Sequence, residues 1–339
     1  MVFSLYWSGL WPSFRITNRH TLVNVLKPLR LKKHDVIGII TPASAPSSDE
    51  KIDKGIHYLE QLGYRVKLGA HAKAVHGYFA GRDEERASDL NAMFADKQVK
   101  AIIAVRGGYG TPRLLEHIDY RVIKRNPKIL VGYSDLTALQ LAVFTKTKLL
   151  TFSGPMLAVE MSDKMDPFTE DFFWRILTSP HPIGNVSNPD NKPLKILLSH
   201  SKKAQVTGRL LGGNLSMVTS ITGTMFQPNF RDHIFFFEEV GEEPYRIDRM
   251  LTQLKLAGIL RSIKALLIGS LIDCVPADKA KPSLSITEIL AELTWDLKVP
   301  VLSGLAYGHL PRKLTMPIGL SAKVNSRSGT LEFLEGCVK

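Results

Sequence analysis

The sequence, 339 residues long, predicts an α/β protein in which a parallel-sheet domain is followed by a smaller α/β domain rich in β structure. Three observations predict it. From residue 35 onward, short β-branched runs alternate with stretches of helical period, as expected where helices cross between parallel strands. A stretch rich in Pro, Asn and Ser at 181–207 interrupts that alternation and reads as a linker. The length, finally, favours two domains over one.

Residues 35–41 (DVIGIIT) read as the first strand, with a loop at 42–48, a helix at 48–62 and a second strand at 65–68. Ala87, Leu90, Met93 and Phe94 recur at three-to-four spacing and predict a helix over 83–94. The apolar run 99–105 (VKAIIAV) is a buried strand that ends at Arg106-Gly107-Gly108-Tyr109-Gly110. Residues 128–133 (KILVGY) form another and run directly into Ser134. A helix over 135–147 follows, with Asp135 in its first turn, where a carboxylate meets the positive end of the helix. These elements predict a flavodoxin/Rossmann-like parallel sheet over 34–180.

Beyond the linker, 208–223 reads as a Gly-rich loop and a helix, 233–237 (HIFFF) as a strand, 245–257 as a helix and 264–272 as a strand. Residues 301–310 lead into a Pro-rich loop, and 321–333 alternate around Ser328-Gly329 as a hairpin. These make up the second domain, 208–339.

The net charge of +12 suggests a nucleic-acid footprint until it is mapped. Arg15, Arg19, Lys27, Arg30, Lys32 and Lys33 stand in the first 34 residues without a single acid, and supply +6 of it. With no zinc-finger spacing and no aromatic-rich RNA-binding stretch, a nucleic-acid partner is not expected. Residues 1–33 are expected to form an extension, weakly ordered or loosely docked. Its apolar start (MVFSLYWSGLWP) lacks a basic leading region and a small-residue cleavage site and is too short to span a bilayer. Trp7 and Trp11, beside the later basic residues, leave an interfacial anchor as the alternative. Elsewhere no run approaches the roughly 18 apolar residues of a spanning helix, so no stable membrane association is expected. Two cysteines, Cys274 and Cys337, show no paired short spacing, which suits a reducing compartment and argues against a disulfide framework or a structural zinc site.

Gly132-Tyr133-Ser134-Asp135 places a serine between a strand end and a helix start, where ligands of open α/β sheets bind. The hydroxyl can there be offered to a substrate while the Asp135 amide points to where an oxyanion would form. A serine at this point also serves as an ordinary helix cap, and Leu136 stands where the G-x-S-x-G elbow has its second glycine. Gly107, Gly108 and Gly110 let backbone amides approach a ligand closely, or make a tight strand-to-helix turn. Neither G-x-G-x-x-G nor G-x-x-x-x-G-K-[ST] occurs, nor does H-E-x-x-H or a clustered His/Asp set. No cofactor and no metal is expected.

A serine nucleophile needs a base. Of ten histidines, His309 stands out in Tyr307-Gly308-His309-Leu310-Pro311, in a loop at the end of an apolar strand. Glu238 or Glu239, directly after the apolar strand, can orient it, since an acid there is costly without a partner. Ser, Glu and His in chain order, each at a strand end, match the logic of a triad.

RGGYG at 106–110, GYSDLTAL at 132–139, GRLLGGNLS at 208–216, EEVGEEPYRIDRML at 238–251 and GHLPRKLTMPIG at 308–319 together resemble the murein LD-carboxypeptidases. The likeness runs from about residue 31 to the C-terminus, and includes LKKHDVIGIITPAS and YFAGRDEERASDLNAMF. The resemblance implies a two-domain cytoplasmic serine peptidase with a Ser-Glu-His triad, commonly a homodimer. Such enzymes remove the terminal D-alanine from the L-Ala-D-Glu-diaminopimelate-D-Ala tetrapeptide of recycled cell wall. Carried over, the nucleophile falls on Ser134, the acid on Glu238, the base on His309, and the oxyanion amides on Asp135 and Gly108. Glu239 stands where many relatives carry aspartate, so the placement on Glu238 rests on the match. For the free carboxylate of a carboxypeptidase substrate, a planar guanidinium is suited, which points to Arg106 beside Gly107, with Arg246 next. Asn214 either contacts the peptide backbone or shapes its own loop. A related branch, the microcin C self-immunity peptidases, cleaves an acyl-sulfamoyl adenylate conjugate and is the alternative.

Overall fold

The computed structural model describes residues 24–198 and 204–339, so Trp7 and Trp11, with the anchor alternative that they raise, lie outside the described residues. The first half of the chain forms β1 (Val36–Ile40), α1 (Asp49–Gln61), β2 (Arg65–Leu68), α2 (Asp83–Ala95), β3 (Val99–Ala104), α3 (Tyr120–Arg125), β4 (Ile129–Val131), α4 (Leu136–Thr147), β5 (Thr151–Ser153) and α5 (Pro167–Thr178). The second adds β6 (Gly184–Val186), β7 (Lys195–Leu198), β8 (Gln205–Asn214), α6 (Leu215–Ser220), β9 (Ile234–Val240), α7 (Pro244–Leu256), α8 (Ile259–Ser262) and β10 (Ala265–Ile272). It ends with α9 (Ile286–Thr294), β11 (Val301–Ser303), β12 (Met316–Ile318), β13 (Ser321–Asn325) and β14 (Thr330–Phe333).

Strands that read as continuous apolar runs are covered on both faces, as parallel strands must be. β1 is buried at all five positions and pairs in parallel with both β2 and β3. The first sheet runs β12-β5-β4-β3-β1-β2. Its parallel part has the flavodoxin-like order, in which the connections reverse direction between β1 and β3 and open a crevice at the strands' carboxyl ends. The second sheet is mixed, in the order β6-β14-β13-β8-β9-β10-β11-β7. β13 and β14 are the expected hairpin.

The sheets meet around α4, which is buried almost all round, the mark of a helix enclosed by protein on every side. It packs on β5 on one side and on β8 and α6 on the other. Gly213 makes the approach to β8 possible, because a Cβ there would lie 2.4 Å from the Thr137 Oγ1. The Asn214 N–H donates to that same hydroxyl at 3.0 Å.

Three expectations are corrected. Residues 181–207 are not a plain linker, for they carry β6 and β7, which form the two edges of the second sheet. Such short edge strands have no period of their own; their long-range partners, β14 and β11, make them strands. The glycines at 212 and 213 lie inside β8 and not in a loop, and a Cβ on Gly212 would sit 1.7 Å from the Phe236 carbonyl oxygen of the neighbouring strand. Residues 24–33 are firmly docked. Leu26 bridges Leu149, the Leu31 N–H donates to the Leu177 carbonyl at 2.9 Å, Leu31 is buried, and Lys27 pairs with Glu335 at 2.8 Å. The chain also returns at its end to the first sheet, where β12 pairs antiparallel with β5.

Candidate active site

β4 delivers Ser134 in a strained turn. Its φ of 64° lies in the left-handed region, which costs a non-glycine residue about 1–2 kcal/mol, and the turn leads straight into α4. Next door, the turn after β3 presses its glycine backbone onto this serine. A Cβ on Gly107 would lie 3.0 Å from the Ser134 Cβ and 3.2 Å from its Oγ. Gly108 has φ 115° and Gly110 φ 127°, both open to glycine and poorly accessible to other residues.

Asp135 ties the two turns together. Its buried carboxylate accepts the N–H groups of Gly110 at 3.1 Å and Thr111 at 2.8 Å, while the Thr111 hydroxyl donates to the Asp135 carbonyl. Burial pushes this carboxyl above its ordinary value, against the pull of those hydrogen bonds. The N–H groups of Gly108 and Asp135 themselves enter no hydrogen bond among the described residues.

β9 supplies Glu238, fully buried at 0 % exposure. Its Oε2 lies 2.7 Å from His309 Nδ1. A carboxylate only accepts, so in the neutral ring Nδ1 carries the proton and Nε2 is left as the acceptor. The second oxygen accepts from Asn214 Nδ2 at 3.2 Å, a contact built by the parallel register that sets Asn214 opposite Glu238. A register shift between Ile268 and Leu271 of β10 and the absence of a side chain at Gly308, whose Cβ would sit 2.7 Å from Glu238 Oε2, admit the His309 loop to the carboxylate.

Glu239 faces the other way. It accepts from Asn214 Nδ2 at 2.7 Å and from the N–H and hydroxyl of Ser216 at 2.8 and 2.7 Å, so it holds the start of α6. Burial pushes its carboxyl up.

Ser134, His309, Arg106, Gly107 and Gly108 line one cavity of about 470 Å³ at the carboxyl ends of the first sheet. Arg106 reaches the Ala45 carbonyl with one guanidinium nitrogen at 3.2 Å. Two expected substrate contacts lie elsewhere. Asn214 is buried, caps α6 and spends its amide on the two carboxylates. Arg246 is half-exposed on α7 and pairs with Glu242 at 3.3 Å, outside the cavity.

The same cavity is lined by residues that the sequence reading did not single out. Lys51 of α1 and Asp163, beyond β5, face it, and neither has an ion-pair partner within 4.0 Å among the described residues. Tyr133 is a third, with its ring packed against that of His309. Lys51 and Asp163 carry no sequence signal, because only the fold brings these segments to one crevice. Among the described residues no group of His, Cys, Asp and Glu could hold a metal ion, and no helix is long and apolar enough to cross a membrane.

Comparison with known proteins decides the family. The LD-carboxypeptidase N-terminal domain model matches residues 37–154 and the C-terminal domain model residues 207–324. The chain belongs to the LD-carboxypeptidase family. A probable murein peptide carboxypeptidase of Bacillus subtilis is 39 % identical over 90 % of this chain and 93 % of its own. The crystal structure of the muramoyltetrapeptide carboxypeptidase from Oxalobacter formigenes superposes with a TM-score of 0.76 at 32 % identity, and covers 88 % of this chain and 97 % of that one. The Microcin C7 self-immunity protein MccF of Escherichia coli is 28 % identical over 89 % of this chain and 93 % of its own. A solved structure of MccF gives a TM-score of 0.83 at 27 % identity, over 93 % and 100 % of the two chains. For this LD-carboxypeptidase family member, hydrolysis of a carboxy-terminal peptide bond is thus the general activity, and the two-domain α/β fold is that of its relatives.

Proposed function

We propose that this protein is a serine-type LD-carboxypeptidase that removes the terminal D-alanine from murein tetrapeptide. Ser134 is the nucleophile, His309 the base and Glu238 the acid that orients it. The observation that carries this reading is the pairing of His309 Nδ1 with a fully buried carboxylate at 2.7 Å, on the wall of the cavity that Ser134 enters from a strained turn. A carboxylate with no solvent access, held by Asn214 at one oxygen and paired with a histidine at the other, suits the support of an imidazolium.

In the mechanism, His309 Nε2 takes the Ser134 proton as Oγ attacks the scissile carbonyl, and Glu238 supports the positive charge. The unspent amides of Gly108 and Asp135 stabilise the oxyanion. His309 then gives its proton to the leaving D-amino acid, and water attacks the acyl-enzyme by the same route in reverse. Arg106 holds the terminal carboxylate, and Lys51 and Asp163 offer charges of both signs to the rest of a zwitterionic peptide. The protein is further proposed to act in the cytoplasm as a homodimer.

MccF has been solved in complex with aspartyl sulfamoyl adenosine, and the likeness to it supports a second reading, cleavage of an aminoacyl nucleotide conjugate. Measuring kcat/KM on L-Ala-D-Glu-diaminopimelate-D-Ala and on an aminoacyl-sulfamoyl nucleoside separates the two. The tetrapeptide should be the better substrate by at least about tenfold, a difference of ~1.4 kcal/mol in transition-state binding; turnover of the conjugate alone would replace the first reading by the second.

A further inference from the structure

The ring of Tyr133 is gripped by three groups, all of them beside the site. Its hydroxyl donates to Glu160 Oε1 at 2.9 Å, the Lys313 ammonium stands 4.0 Å from its centroid, and the His309 ring packs against it, with centroids 5.1 Å apart and planes at 62°. Lys313 and Glu160 also pair with each other, their side chains only 3 % and 11 % exposed. The second oxygen of Glu160 accepts the Met156 N–H at 2.9 Å. Burial, reinforced by the neighbouring carboxylate, pushes the Tyr133 phenol well above its ordinary value, so it stays protonated and keeps donating.

An ion pair this deeply buried adds little to stability, because desolvating two charges offsets most of their attraction and apolar residues of the same shape would serve as well. Its position points to another use. Tyr133 immediately precedes Ser134 at the end of β4 in the first sheet, and Lys313 follows His309 by four residues beyond β11 of the second. Glu160 comes from the segment after β5. The cation over the ring therefore joins the segment that carries the serine to the loop that carries the histidine. The Glu238 hydrogen bond at Nδ1 holds His309 at one atom and leaves the ring free to tilt about it; the Tyr133 ring blocks that tilt.

We infer that Lys313, Glu160 and Tyr133 are positioning residues, which lock the His309 imidazole in the orientation that reaches Ser134. This rests on the reading of Ser134 and His309 as nucleophile and base. Lys313 fixes the Tyr133 ring from its face and Glu160 from its hydroxyl. Glu160 also balances the Lys313 charge, so that the imidazolium formed during the reaction does not meet an uncompensated cation.

The test measures tetrapeptide kinetics, the rate at which a fluorophosphonate modifies Ser134 as read by mass spectrometry, and thermal unfolding. The variants are Tyr133→Leu, Lys313→Met, Lys313→Arg and the double change Lys313→Met with Glu160→Gln, which strands no buried charge. Tyr133→Leu, Lys313→Met and the double variant should lose about 10- to 100-fold in kcat and in modification rate with KM within about threefold, as a misplaced base does. Lys313→Arg keeps a cation over the ring and should recover most of the loss. Wild-type kcat and modification rates in Tyr133→Leu and the double variant, whatever their Tm, would overturn the inference. If the wild type leaves the tetrapeptide intact yet Ser134 is modified more slowly in the variants, the positioning role stands and the substrate reading falls. If Ser134 of the wild type is not modified at all, both fall.

Discussion

Ser134 and Gly107 are set against each other so closely that the smallest possible addition is felt. Gly107→Ala would place a methyl 3.0 Å from the Ser134 Cβ, tighter than packed atoms normally sit, while the backbone at 107 needs no special φ. It should lower turnover about 10- to 100-fold through displacement of the nucleophile with only a small change in Tm; kinetics beside a melting curve checks this, and full activity would mean that the serine turn yields freely. At this scale the sequence was informative where glycine or a strand end marks a residue. Gly107, Ser134 and His309 are of that kind, each beside a break in an apolar run. Lys313 and Tyr133 lay inside recognisable motifs without a visible role, because cation–ring geometry is set by three-dimensional approach and not by spacing. Glu160 belongs to none of those motifs. For Asn214 two roles stayed open, because a strand register cannot be read from one strand alone.

β8, β9 and α6 meet at Glu239, whose four hydrogen-bond donors come from Asn214, Ser216 and Val240. Burial raises its folded-state pKa above the ordinary 4.5. A raised carboxyl contributes stability that is complete below the unfolded value and is lost as pH rises through the folded one. The stability of the wild type relative to Glu239→Gln should therefore fall as the pH goes from below 4.5 towards neutrality. Urea unfolding at several pH values measures the difference; a constant or growing gap would contradict the burial argument. Among the elements, the long apolar strands and amphipathic helices such as β1, α2 and α7 were legible within a residue or two, since each carries its own period. β5, β6, β7 and β12, three or four residues each, were not. Strands that short are defined by the partner they pair with, and β12 pairs with a strand more than a hundred and fifty residues earlier.

Over the whole molecule, the α/β class was legible from the alternation of strands and helices, but the interlocking of the halves was not. The C-terminal segment completes the first sheet through β12, and residues 24–33 close onto the connection between α4 and β5 and onto α5. A chain that begins at residue 34 should be less stable than one that begins at residue 24, by about 2 kcal/mol for the buried Leu31 alone; comparison of their Tm values checks it, and equal values would mean that the docking contributes nothing. The family followed from motifs scattered over both halves. The claim on which the rest depends is that Ser134 attacks the peptide. Mass analysis of murein tetrapeptide after incubation with the wild type and with Ser134→Ala tests it most directly. The wild type should yield tripeptide and free D-alanine, and the variant should be slower by ~10³-fold or more; release of D-alanine by the variant at the wild-type rate would contradict it.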